Sequence, residues 1–336
     1  MFEPIKITIT ARPISRLLTK LSMGSTLSMR SRLSMPASPA VHGNRPSALA
    51  MGLVLGVVVI ATATGCGSSG SPDAASESPE FVNSVSGSDA VIWAVGDGDA
   101  TKGSLVTDLI ARGGLDRLLY LGDVYEEGTA EEFATNYEPT YGQLAELTAP
   151  TLGDHESGNA ELGYEPYWTE ATGTAPPDYY SFEAGGWQIL SLNSEVSHTP
   201  TSDQIAWLEE ATATPGTCRL AFWHRPRFNA GTIHSGDDDV ASFWRALEGR
   251  ATVVVNANEH SMQRFAPRGG ITQFVSGAGG HGLYRLRTNL PNDLEFGEDE
   301  VYGALRLKLR PGSATYAFVS VEGKILDSGR IACDPL

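Results

Sequence analysis

The feature that most constrains this chain is the run Leu118-Leu119-Tyr120-Leu121, which ends directly in Gly122-Asp123. Consecutive large apolar residues with neither alternation nor helical spacing need cover on both faces, as in a buried strand of a parallel sheet. The Gly-Asp stop then delivers a carboxylate to the C-terminal edge of that strand, where open α/β sheets place their ligands. The design recurs. Ala90-Val91-Ile92-Trp93-Ala94-Val95 runs into Gly96-Asp97-Gly98-Asp99, and Ala251-Thr252-Val253-Val254-Val255 into Asn256-Ala257-Asn258-Glu259-His260. Pro150-Thr151-Leu152-Gly153 leads to Asp154-His155-Glu156, and Ala221-Phe222-Trp223 to His224-Arg225-Pro226. Any one of these has an ordinary reading, such as a turn-forming Asp or a surface His-Glu pair. Five strand ends bearing oxygen or nitrogen ligands predict one shared site for a pair of cations.

Between these strands the pattern turns helical. Leu105, Val106, Leu109 and Ile110 predict one amphipathic helix, and further helices are expected over 131–147, 202–212 and 242–247. Tyr179 to Leu192 reads as a hairpin around Gly185-Gly186, and the last quarter as strands over 271–275, 304–309, 315–321 and 324–326. The stretches 164–178 and 291–301 read as pocket-shaping loops. With no internal repeat, the expected fold class is α/β (α+β): two packed mixed β-sheets flanked by helices, over 86–336.

The N-terminus reads differently. Residues 1–45 are basic and Ser/Met-rich, 48–63 form an apolar run too short to span a bilayer comfortably, and Ala63-Thr64-Gly65-Cys66 follows. Residues 1–66 are expected to be a leader with a lipoprotein-type signal acylated on Cys66, an ordinary secretory signal being the alternative. Residues 67–85 are expected to be a flexible tether. If Cys66 carries lipid, Cys218 and Cys333 remain as an even pair, either a disulfide or two buried thiols. The chain would then be an exported, membrane-anchored lipoprotein of the cell envelope, or secreted, with membrane contact only through the lipid.

A formal net charge of −16 argues against a nucleic-acid partner, because phosphate attraction needs Lys and Arg. It does not exclude a phosphate substrate, since bound dications reverse the local field.

The motif series resembles the calcineurin-like metallophosphoesterases, and among them the exported branch similar to purple acid phosphatases. That family orders an Asp block, a Gly-Asp-x-x-Tyr block, Gly-Asn-His-Asp/Glu, His-x-Pro and Gly-His-x-His. Here Gly96-Asp97, Gly122-Asp123-Val124-Tyr125, Gly153-Asp154-His155-Glu156, His224-Arg225-Pro226 and Ala257-Asn258-Glu259-His260 follow in that order. The resemblance implies two divalent ions (Mn, Mg, Ca, Fe or Zn). Asp123 would bridge them, Asp97 and His260 would complete one position, and Asp154, His224 and Asn258 the other. It further implies a metal-bridging hydroxide, with His155 as general acid held in place by Glu156.

This chain departs from the family at Asp154 (Asn in relatives), Asn258 (His) and Ala257 (Gly), which hardens the ligand set toward oxygen-preferring ions. Tyr125 follows Asp123 by two residues where the family spacing is three, so Asp99 is the alternative extra ligand. Arg225 either faces the pocket and holds a phosphate oxygen or lies on the surface, and His234 is a substrate-contact candidate. His198 and His281 are assigned to loops without a chemical role. Two functions follow: a phosphatase, with possible diesterase activity, acting on small phosphoesters, or a catalytically impaired shell that binds a ligand or partner at the envelope.

Overall fold

The computed structural model describes residues 81–333. The leader, Cys66 and the tether up to residue 80 lie outside the described residues. Residues 81–85, assigned above to the tether, belong to the folded body: Val82 is buried, Phe81 packs edge-on to Tyr180 at 5.2 Å, and the Val85 amide donates to Glu183 at 2.8 Å. Arg117 Nη2 also donates to the Asn83 carbonyl at 2.7 Å and the Glu183 amide to Ser84 Oγ at 3.0 Å, so the segment is held by both apolar and polar contacts.

In chain order the elements are β1 (Ala90–Val95), α1 (Gly103–Arg112), β2 (Arg117–Tyr120), α2 (Ala130–Glu132), β3 (Thr148–Pro150), α3 (Asp154–Ser157), α4 (Tyr164–Thr172), β4 (Tyr180–Ala184) and β5 (Trp187–Ser191). Then come α5 (Asp203–Ala211), β6 (Cys218–Phe222), α6 (Ala241–Leu247), β7 (Val253–Asn256), β8 (Met262–Phe265), β9 (Thr272–Ser276), β10 (Leu294–Glu298), β11 (Gly303–Arg310), β12 (Ser313–Ser320) and β13 (Ile325–Ala332). They form a six-stranded sheet, β13-β12-β11-β1-β2-β3, and a seven-stranded sheet, β10-β8-β9-β7-β6-β5-β4. Strands β1, β2 and β3 run parallel at one side of the first sheet, with β11, β12 and β13 antiparallel at the other, whereas β5, β6, β7 and β9 form a parallel core with antiparallel edges in the second.

The two-faced apolar runs explain the layering. Ile92, Ala94, Leu119 and Leu121 meet Ile189, Phe222, Val255 and Phe274 between the sheets. Their neighbours Trp93, Val95, Leu118 and Tyr120 point the other way, onto Val106 and Ile110 of α1. Leu190, Ala221 and Val254 likewise cover Leu208 of α5 and Phe243 of α6. The result is the expected helix–sheet–sheet–helix stack, and hydrogen bonds knit the strand ends across it: Gly96 N to Ser276 O at 3.0 Å and Asp97 N to Gly122 O at 3.1 Å.

Four expectations fail locally. The helix over 131–147 breaks into α2, a wide turn over Phe133–Tyr137 and a tighter one over Tyr141–Leu147. Pro139 has no amide to continue the ladder, and the Thr140 hydroxyl takes the Asn136 carbonyl at 2.7 Å instead. The stretch 164–178 contains α4, which buries Tyr164 and Trp168, and 291–301 contains β10. The final strand is eight residues long and lies at the sheet edge, with Ser328 and Arg330 exposed and Asp327 and Gly329 half-buried, so it reads as polar in sequence.

Cys218 and Cys333 are joined in a disulfide with Cα atoms 5.7 Å apart and a sequence separation of 115. Closing so long a loop restricts the unfolded chain more than the folded one. Replacing both cysteines by serine is expected to lower unfolding free energy by about 2–5 kcal/mol, read as a drop in the urea midpoint.

Candidate metal centre

Only three non-glycine residues among those described have positive φ: Asp97 at 59°, Asp123 at 68° and Asn258 at 65°. All three are ligand candidates, each at a corner just past a strand. Left-handed backbone is costly for most side chains, and clustering of such residues marks functional sites. The corners are enforced. Tyr120, buried in β2, donates its hydroxyl to the Asp123 carbonyl at 2.7 Å, and the buried Glu156 carboxylate accepts the amides of Asp123 (3.1 Å), Val124 (3.2 Å) and Gly153 (3.0 Å).

That arrangement corrects the role given to Glu156. It does not hold His155, whose Nδ1 instead bonds the Glu126 carbonyl and whose ring packs edge-on to Tyr125 at 4.5 Å. Glu156 fixes the backbone that carries Asp123. Burial, and then the Asp123 charge, push its carboxyl upward, and the Gly153 amide and the His224 charge oppose that.

The side chains converge. Ligand atoms of Asp97, Asp123 and His224 lie within 4.8 Å of one another, all buried. His224 Nε2 is 3.4 Å from Asp123 Oδ1 and 2.9 Å from Asp154 Oδ1, while its Nδ1 donates to the Leu121 carbonyl at 2.8 Å. His260 Nε2 lies 3.7 Å from Asp97 Oδ1, with Nδ1 on the Gly282 carbonyl at 2.6 Å. In both rings the outer nitrogen is held by a backbone oxygen and Nε2 faces inward, the orientation of a metal-ligating imidazole. The Tyr125 hydroxyl sits at the focus: 2.7 Å from His260 Nε2, 2.9 Å from Asp123 Oδ2 and 3.1 Å from Asp97 Oδ1. The Asp99 carboxylate accepts the Thr101 amide at 3.0 Å in a local turn. Asn258 is buried at its own left-handed corner.

These groups fit a divalent cation. Asp97 Oδ2 is buried with no hydrogen-bond partner, which is costly for an acceptor. One phenol proton cannot serve the three acceptors around Tyr125, so lone pairs oppose each other unless positive charge lies among them. The electrostatics of the cluster reflect the same crowding. Burial and then the Asp123 charge hold the Asp97 carboxyl well above the usual range. Burial would lower the His224 pKa, but Asp123, Asp154 and Asp97 outweigh it and raise it. Burial pushes His260 down to about 3, keeping its Nε2 lone pair available. Against burial, His224 and Arg225 hold Asp154 well below the usual carboxylate range.

The rim holds the remaining candidates. Arg225 faces the pocket rather than bulk solvent: its Nη2 lies 3.4 Å from Asp154 Oδ2, and Glu195 accepts from its Nε and Nη2 at 2.9 and 3.0 Å. His234 lies 5.9 Å from Tyr284, which stacks on His260 at 3.8 Å. The assignment of His281 to a loop without a role is also corrected in position, because its ring stacks on Tyr125 at 3.8 Å and contacts His260 Nδ1 at 3.4 Å. Sequence reading missed Glu195 and Tyr284, which carry no motif of their own. A separate cavity of about 570 Å³ beside Arg219 and Arg250 lies at the opposite ends of β6 and β7 and contains none of these groups.

Glu156→Ala would leave three amides unpaired, and is expected to cost about 3 kcal/mol of stability, measurable by denaturant unfolding of the metal-free protein; Glu156→Gln should cost clearly less.

No model of a known protein family matches the chain. A probable purple acid phosphatase 20 from Arabidopsis thaliana is 27% identical over 164 residues, 40% of this chain and 38% of the relative. Among solved structures, the purple acid phosphatase PPD1 from yellow lupin superposes with a TM-score of 0.62 at 16% identity, covering 75% of this chain and 55% of that one. GAP50, the anchor in the inner membrane complex of Plasmodium, gives 0.59 at 13% identity (74% and 90%), and a dimetal phosphatase from Danio rerio 0.51 at 11% (72% and 98%). The chain thus spans well under two thirds of the length of the two plant proteins.

Proposed function

Starting from a chain that has the fold of the calcineurin-like metallophosphoesterases and is homologous to a purple acid phosphatase, we propose that it is a metal-dependent phosphoric ester hydrolase acting on small phosphoesters outside the cytoplasm. The observation that carries this reading is the buried Asp97–Asp123–His224 cluster, with its unpaired Asp97 oxygen. Asp97, Asp123, His260 and Tyr125 would hold one cation, and Asp154, His224 and Asn258, sharing Asp123, a second. When bound, divalent cations supply the positive charge that polarises a phosphoryl group and an attacking water.

The chain's own groups do the rest. His155 is partly exposed at the rim with its Nδ1 on the Glu126 carbonyl, which leaves Nε2 to serve a leaving oxygen as the candidate proton donor. Arg225 spends Nε and Nη2 on Glu195 and Asp154, which leaves Nη1 for a phosphate oxygen. His234 takes a second phosphate contact from the opposite rim. The Cys218–Cys333 disulfide supports an oxidising compartment, consistent with export through a signal ending at Cys66. Among the described residues no helix is long and apolar enough to cross a membrane.

A second reading, a shell without turnover, draws on the Asp154 carboxylate being already balanced by His224 and Arg225, and on the likeness to GAP50, an anchor by its printed name. Hydrolysis of p-nitrophenyl phosphate and its bis ester after loading with Mn, Mg, Ca, Zn or Fe separates the two. Turnover with at least one metal, falling at least about 100-fold in Asp123→Asn, is expected; silence with every metal, relieved in Asp154→Asn/Asn258→His, favours the shell. His155→Ala should slow phenyl phosphate more than p-nitrophenyl phosphate, by about 100-fold or more for the poorer leaving group. Equal losses on both substrates would remove His155 from proton transfer.

A further inference from the structure

Glu259 lies between two candidate ligands yet points away from them, and nothing above gives it a task. It is fully buried. Its Oε2 accepts the His234 amide at 2.9 Å and Asn229 Nδ2 at 3.1 Å, and its Oε1 has no hydrogen-bond partner. The loop over 229–234 is folded directly onto this carboxylate: a Cβ on Gly231 would stand 1.7 Å from Oε1. The same loop is gripped from beneath by Gln263, whose Oε1 accepts the Ala230 amide at 2.8 Å while its Nε2 donates to Asn229 Oδ1 at 2.8 Å. At its flank, Thr232 N donates to the Arg285 carbonyl and Arg287 N to the Ala230 carbonyl, both at 2.9 Å.

We infer that Glu259 is a positioning residue: its carboxylate anchors the loop over 229–234 so that His234 stands at the mouth of the metal centre, where it meets the phosphate of the substrate. This rests on the hydrolase reading for the identity of the ligand. A buried carboxylate with no cationic hydrogen-bond partner is an expensive way to fill space. It is well suited to gathering convergent N–H donors, which a loop must present when its backbone turns away from any sheet. The bond to the His234 amide fixes that residue's backbone, and Tyr284, stacked on His260, bounds the position of its ring. Glu259 thereby couples the backbone next to His260 to the opposite rim of the site without touching substrate.

The test is a double-mutant cycle on the metal-loaded protein with p-nitrophenyl phosphate. Glu259→Ala and His234→Ala are each expected to raise KM about tenfold with kcat changed less than about twofold and metal content unaltered, and the double variant should be no worse than His234→Ala alone. Glu259→Gln keeps an acceptor for both N–H groups and should restore KM. Gly231→Ala, which pushes the loop off the carboxylate, should reproduce the loss by an independent route. Additive losses, equal damage from Gln and Ala, or metal lost with Glu259→Ala would overturn the inference. If the wild-type protein turns over no ester, the hydrolase reading fails separately, and the same cycle is read in the Kd for inorganic phosphate by calorimetry; an Ala variant that binds phosphate as tightly as wild type, or a wild type that binds none, overturns the role of Glu259.

Discussion

Two carboxylates that repel each other, Asp97 and Asp123, stand together buried from bulk solvent, and most of the surrounding architecture exists to keep them there. Their strands lie side by side in one sheet, so their distance is set by parallel pairing and not by a flexible loop. His224 arrives from the other sheet, and its ring is aimed by the Leu121 carbonyl of the first. Packing the sheets face to face therefore does two things at once: it buries the apolar inner faces and it completes the donor set. The hydrophobic energy of the sandwich, on the order of 1.5–3 kcal/mol for each large side chain buried, offsets the electrostatic cost of the acidic cluster.

Glu156 shows how that cost is distributed. A second buried carboxylate next to Asp123 worsens the repulsion, yet it ties together three amides that would otherwise be stranded at the left-handed corner. Backbone geometry is gained at the expense of charge balance. The Tyr120 hydroxyl on the Asp123 carbonyl completes the frame.

Much of this was legible in the sequence, for a physical reason. The central strands are covered on both faces, so their apolar runs are uninterrupted and their ends abrupt, and each Gly-Asp or Trp-His junction falls where a strand stops. Edge strands and rim groups were not legible. β13 has one solvated face and reads as polar, and the break at Pro139 was masked by good helix formers on either side. His281 and Tyr284 reach the site through a loop that has no periodicity to place it, and Glu195 is recognisable only from the guanidinium it faces. The adjacency of His155 and Glu156 suggested a bonded pair, whereas successive residues of a helical turn point in different directions.

The left-handed corners carry an evolutionary implication. At such φ values the side chains tolerated with least strain are Gly, Asn and Asp, so an exchange of Asp for Asn at position 97 or 123 would alter the reactivity of the pocket while leaving the polypeptide path nearly unstrained. Asn258 occupies a corner of the same kind. A lineage built on this scaffold can therefore gain or shed its chemistry in single steps that folding hardly registers, and descendants with and without activity would share one silhouette.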